Sequence, residues 1–209
     1  MNSDYFTLAN QFEETTVIER SKFICNVKNV INEEDAKDFV EQIRKIHSLA
    51  THNCYAYIAD DKGLIQKFSD DGEPQGTAGM PMLDVLKNKK MYKTVAVVTR
   101  YFGGKKLGTG GLVRAYGGAV DSALNNAQIL HMFKAVFLSV ETDYDGYGKL
   151  QRLILSKNLP LINTDFNNGV KVDFVVKKVD FDTFSLEFTD YFNGKVNLSV
   201  VNEDFYPFK

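Results

Sequence analysis

The chain has 209 residues, 44% hydrophobic and 25% charged, with 16 Phe, 10 Tyr and no Trp. This balance supports packed cores and excludes a disordered chain, and no stretch approaches the roughly 18 apolar residues of a membrane span. The net charge of −2 excludes nothing by itself but is unevenly spread: residues 1–84 carry −7, residues 85–120 carry +8 with no acid, and residues 121–209 carry −3, so the basic segment is either a local field that attracts phosphates or a solvated face answered by the acids of the first segment.

Met1–Phe6 has no basic segment leading into an apolar run, so no secretory signal is expected. Cys25 and Cys54 make no disulfide framework, and a reduced, cytoplasmic protein is the simpler expectation. Alternation predicts strands over 13–19 and 22–27, joined by a turn at Arg20-Ser21. Asn32 can cap a helix whose buried stripe is Ala36, Phe39, Val40, Ile43 and Ile46. A strand over 53–60 turns at Asp60-Asp-Lys-Gly63 into a hairpin partner over 64–68. Residues 69–79, rich in Asp, Gly and Pro, read as a loop, followed by a short helix over 80–86 with Pro81 in its first turn. Val95-Ala-Val-Val98 marks a buried strand over 93–101, and a helix is expected from about 112 to 126 after a glycine-rich loop. The remainder reads as a strand (134–141), a helix (144–156), strands (160–165 and 170–177) around an Asn167-Asn-Gly169 turn, a helix (179–191) and a strand (196–202). That β-α-β-β-α-β order is the ferredoxin-like, split-βαβ arrangement. The expected class is α+β, with domains at 1–130 and 131–209.

The densest chemistry lies in Arg100-Tyr-Phe-Gly-Gly-Lys-Lys-Leu-Gly-Thr-Gly-Gly-Leu-Val-Arg114. Gly103, Gly104, Gly108, Gly110 and Gly111 allow close backbone approach, and free N–H groups leading into a helix form an anion site. Arg100, Lys105, Lys106 and Arg114 add full charges, and Tyr101 or Phe102 could stack on a base. Gly103-x4-Gly108 is followed by Thr109-Gly110, which breaks the Walker pattern, and Gly108-Thr-Gly110 leads to Val113, which breaks the dinucleotide fingerprint. The bland alternative is a flexible connector; five glycines and four cations without an acid favour anion binding.

A second segment, Asp70-Asp-Gly-Glu73, could hold a cation, act as acid and base, or order itself as an acidic turn, the commoner case. With His52 it could wall the opposite side of a cleft. His52 and Cys54 share one strand face, but the other His and Cys have no ligand spacing, so no metal and no cofactor are expected.

Three segments resemble the YigZ/IMPACT family: Asp70-Asp-Gly-Glu-Pro-Gln-Gly-Thr-Ala-Gly-Met-Pro81, Val97–Tyr116, and Ser21-Lys-Phe with Thr51-His-Asn-Cys-Tyr-Ala-Tyr57. The resemblance covers about residues 15–127, and the C-terminal part resembles the small second domain of bacterial members. It implies an N-terminal domain like domain IV of elongation factor G, a ribosomal-protein-like β-α sandwich, and a ferredoxin-like C-terminal domain like its domain V. It also implies a link to translation, with RNA or the ribosome as partner and a protein partner as a further option. The expected function is phosphate contact by a nucleic-acid- or ribosome-binding protein rather than an enzyme. The alternative is an enzyme acting on a small phosphorylated substrate held by the same loop.

Overall fold

The computed structural model describes residues 4–167 and 169–208. The chain divides into two compact units, Met1–His131 and Met132–Lys209.

The first unit contains β1 (Asp4–Leu8), β2 (Phe12–Ile18), β3 (Ser21–Asn29), α1 (Glu33–Ile46), β4 (His52–Ile58), β5 (Gln66–Ser69), α2 (Gly79–Asn88), β6 (Thr94–Tyr101) and α3 (Gly108–Asn126). Five strands form an antiparallel sheet in the order β2-β3-β6-β4-β5. The apolar run on β6 explains its central place, because both faces of that strand are covered. Val95 and Val97 pack with Phe39, Val40 and Ile43 of α1. Ala96 and Val98 pack on the other face with Met82 and Leu86 of α2 and Leu112, Tyr116 and Val120 of α3.

Helix α1 begins where Asn32 accepts a hydrogen bond from the Asp35 N–H (2.9 Å), with acids in its first turn and Arg44 and Lys45 in its last, as the helix dipole favours. Ile46, expected on the buried stripe, is instead exposed at the end of the helix. Strand β1 was not foreseen. It lies against the segment after α2, with Phe6 N–H donating to the Lys90 carbonyl and Tyr92 N–H to the Phe6 carbonyl, both at 2.9 Å. Its alternation is too short to distinguish from a tail.

The second unit contains the main part of β7 (Ile129–Thr142), then α4 (Tyr144–Ser156), β8 (Leu161–Asp165), β9 (Val170–Lys177), a 3-10 turn (Lys178–Asp180), α5 (Phe181–Tyr191) and β10 (Leu198–Pro207). The sheet order is β1-β7-β9-β8, with β10 also paired to β7, and the β10-β7, β7-β9 and β8-β9 pairs are antiparallel. Strands β7 and β8 therefore run parallel with β9 between them, a split βαβ. Leu150, Leu153 and Ile154 of α4 and Phe184 and Phe188 of α5 pack against Val136, Leu138, Val172 and Phe174 of the sheet. Asn168, at the middle of the expected turn, lies outside the described residues, as do Met1–Ser3. Among the described residues no helix is long and apolar enough to cross a membrane.

Candidate functional site

One end of the first unit's sheet carries a polar row. The register pairs Phe23 of β3 with Arg100 of β6, and Arg100 with His52 of β4. Side chains paired across strands share a face. This is the face covered by α2 and α3, because Ala96 and Val98 alternate in phase with Arg100.

The loop between β5 and α2 brings Glu73 into this row. Asp70 shapes that loop: Oδ1 accepts from the Ala78 and Gly79 N–H groups (3.0 and 2.8 Å) and Oδ2 from Gly76 (2.8 Å). It thereby caps α2, whose own N-cap residue Ala78 offers no side-chain acceptor. Asp71 is also spent on structure, accepting from Arg44 Nη2 (2.9 Å) and the Asn53 N–H (2.7 Å). Its carbonyl meets His52 Nδ1 at 2.8 Å. Asp70 and Asp71 are thus turned toward their own loop and its neighbours, while Glu73 and His52 reach the cavity.

Glu73 is nearly fully buried. Its Oε1 accepts from Arg100 Nη1 (2.6 Å) and the Tyr116 hydroxyl (2.7 Å), and His52 Nε2 lies 3.8 Å away. Burial first, then Cys54 and Glu73, pushes the Tyr116 hydroxyl far above its usual range, so it stays a donor. Arg100 lies between the rings of Phe23 and Phe102, at 5.4 and 5.3 Å, and Nη2 reaches Ser21 Oγ at 3.4 Å. The side chain is 6% exposed, and its Nε is buried without a partner among the described residues.

The glycine-rich stretch divides into a loop and a helix turn. Gly103 must be glycine, since a Cβ there would lie 2.0 Å from the Arg20 carbonyl oxygen. Gly104 follows at φ +85°. The helix expected from residue 112 starts at Gly108, so Gly108, Gly110 and Gly111 form its first turn. Their low helix propensity hides the turn from a reading of sequence. Leu107 caps the helix without a side-chain hydrogen bond, and the first turn has no acid. The N–H groups there consequently lack partners within the helix.

A cavity of about 460 Å³ opens at this helix end. Glu73, Arg100 and Leu112 form its buried side; Thr51, Phe102, Lys106 and Thr109 form its exposed side, with His52 between. An adjoining recess of about 430 Å³ shares Lys106 and Leu107 and includes Glu19, Lys105, Gly111 and Arg114. Lys105 is paired with Glu19 at 2.5 Å, whereas Lys106 and Arg114 have no carboxylate partner among the described residues. Tyr101 bonds His47 Nδ1 at 3.1 Å, away from the cavity lining. Phe102, 47% exposed, is the aromatic at the opening. Sequence reading did not single out Tyr116 or Thr51. The available signal for Tyr116 was a phenol in phase with Leu112 and Val120 on a helix face otherwise made of small residues.

Cys54 donates to the Asp70 carbonyl (2.9 Å), and burial pushes its thiol far above the usual range. It is a core residue rather than a nucleophile beside His52. Among the described residues no group of three or more His, Cys, Asp or Glu is placed to hold a metal ion.

Fold and site define a two-unit α+β protein with a cavity between a sheet end and the uncapped start of a helix. Residues 19–124 match the model of the Impact N-terminal domain, and residues 140–195 match a domain of unknown function, DUF1949. The IMPACT family member YvyE of Bacillus subtilis is 40% identical over 95% of this chain and 91% of its own length. The IMPACT family member YigZ of Escherichia coli is 35% identical over 89% of this chain and 92% of its own length. A crystal structure described as an hypothetical protein, 32% identical, aligns over 98% of this chain and all of its own with a TM-score of 0.62. The chain belongs to the IMPACT family.

Proposed function

We propose that the first unit is a phosphate-contacting, RNA-binding module that acts on the ribosome or its RNA in the cytoplasm. The observation that carries this reading is the uncapped N-terminus of α3 opening onto the cavity beside Lys106, with the buried Arg100 Nε lacking a partner among the described residues. Helix N-termini attract anions through free N–H groups and the dipole. Half-exposed Phe102 beside Arg100 offers a base a stacking surface. The five-stranded sheet with helices on both faces is consistent with a domain-IV-like part of elongation factor G. The split βαβ of the second unit is likewise consistent with a domain-V-like, ferredoxin-like part, and the two units serve as two domains.

The test is binding of labelled single-stranded RNA across salt concentrations to wild type, Lys105→Ala and Lys106→Ala. Affinity should fall steeply with salt, with a log–log slope of about −0.7 per phosphate engaged. Lys106→Ala should weaken binding more than Lys105→Ala, because Lys105 is already answered by Glu19. Absence of binding at low salt, or equal binding by all three proteins, would sink the reading.

A second reading, an enzyme acting on a small phosphorylated substrate, is favoured by the Glu73 carboxylate and His52 ring at the cavity. A thermal-shift screen of phosphorylated metabolites, with and without Mg²⁺, tests it; no stabilised hit counts against it.

A further inference from the structure

The anion-facing side of the cavity accounts for a phosphate but not for Glu73 and His52. A carboxylate repels a phosphate, so these two groups require a different part of the ligand. Their hydrogen-bonding state is set by their neighbours. His52 Nδ1 faces the Asp71 carbonyl at 2.8 Å, and a carbonyl can only accept, so Nδ1 carries the proton. In its neutral form the ring therefore presents Nε2 as an acceptor. Gly72, at φ +87°, lets the loop pass over this ring: a Cβ there would sit 3.4 Å from His52 Nδ1. Glu73 Oε1 already accepts two hydrogen bonds, and Oε2 accepts none among the described residues. With His52 neutral the cavity holds two acceptors, its Nε2 and the Glu73 carboxylate, whose Oε1 lies 3.8 Å from Nε2.

Two adjacent acceptors call for two adjacent donors. The same cavity is lined by Lys106 and by Gly108 and Thr109 at the start of α3, and Phe102 is its exposed aromatic. A ligand that satisfies all three needs an anionic group, a planar ring and a pair of neighbouring hydroxyls. A ribonucleotide with a free 2′,3′-diol has all three.

We propose that the cavity binds the 3′-terminal ribonucleotide of an RNA. Its 5′ phosphate lies at the N-terminus of α3 with Lys106, its base stacks on Phe102, and its 2′,3′-diol donates to Glu73 and His52. This rests on the RNA-binding reading above and adds which part of the RNA is held. An internal nucleotide has no 3′ hydroxyl, so it leaves one acceptor unmatched. A deoxyribonucleotide end lacks the 2′ donor, which is how a protein distinguishes RNA from DNA.

The experiment uses the full chain and a short single-stranded RNA, labelled at its 5′ end and prepared with four 3′ ends: the natural diol, a 2′-deoxy end, a 3′-phosphate and a periodate-oxidised end. Fluorescence anisotropy at low salt should show the diol RNA binding about tenfold or more tightly than the other three, the scale of one or two lost hydrogen bonds. His52→Ala should erase this preference. Glu73→Gln is the companion variant, but removing its charge disturbs Arg100, so the four-end comparison on wild type is decisive without it. Equal affinity for all four ends overturns this inference and leaves the RNA-binding reading standing. No binding of any of the four at low salt overturns both. A preference that persists in His52→Ala overturns the assignment of the diol to these acceptors.

Discussion

Replacing Glu73 by Ala tests the buried pair on which the cavity is built. The Arg100 Nη1 to Glu73 Oε1 distance is 2.6 Å, and both side chains are almost inaccessible, at 6% and 3%. At an effective dielectric constant near 20, two unit charges at that distance attract by about 6 kcal/mol. Desolvating each ion costs several kcal/mol, so the intact pair contributes little net stability. Removing one partner is different, because Arg100 then stays buried with Nη1 unmatched, and the Tyr116 hydroxyl loses its acceptor. The expected loss for Glu73→Ala is about 3–5 kcal/mol. The double variant Glu73→Leu with Arg100→Met removes both charges and should recover most of that loss. Native-state hydrogen exchange of the slowest amides of β6 reads the first unit directly. A loss below about 1 kcal/mol for Glu73→Ala would mean that the pair behaves as an exposed one. A double variant no more stable than the single one would show that the loss comes from packing rather than from a stranded charge.

Burial, with a lesser push from Glu14, raises the Cys25 thiol far above its usual range, and burial dominates the same shift at Cys54. A chromogenic disulfide reagent at pH 8 should label neither thiol in the native protein and both in denaturant; rapid native labelling of either would refute the assignment to the core. At Asp35, burial pushes the carboxyl up, but the Lys28 ammonium at 2.8 Å and the Ile31 N–H at 3.2 Å outweigh it and hold it below the usual range. A depressed folded value contributes stability above the unfolded pKa, near 3.9, and loses it as pH falls through the folded value. The stability gap between wild type and Asp35→Asn should therefore be widest near neutrality and close below about pH 4; a gap constant from pH 7 to pH 2, measured by urea unfolding, would count against it.

Most elements were legible because period and punctuation agreed. The apolar run on β6, the Asn32 cap and the β-α-β-β-α-β order of the second unit each leave a local trace. Two failures have local causes as well. The start of α3 at Gly108 was hidden because three of its first four residues are glycine, placed in a helix by tertiary context against their propensity. Strand β1 was hidden because its partners, β7 and the segment at Lys90–Tyr92, are far away in the chain.

The site was less legible than the fold, and charge shows why. Asp70, Asp71 and Glu73 are equivalent as charges in a sequence. The structure separates them by what each carboxylate meets: three backbone amides for Asp70, an amide and Arg44 for Asp71, and Arg100 with Tyr116 for Glu73. The acid-free segment with its charge of +8 resolves in the same way. Lys89 pairs with Asp121, Lys105 with Glu19 and Arg100 with Glu73, so those charges are answered from outside the segment. Lys106 gains its significance by remaining unanswered among the described residues while standing at the cavity. A broad field would predict RNA contact spread over all eight cations. The pairing pattern predicts contact concentrated at the start of α3, and the unequal effects expected of Lys105→Ala and Lys106→Ala separate the two.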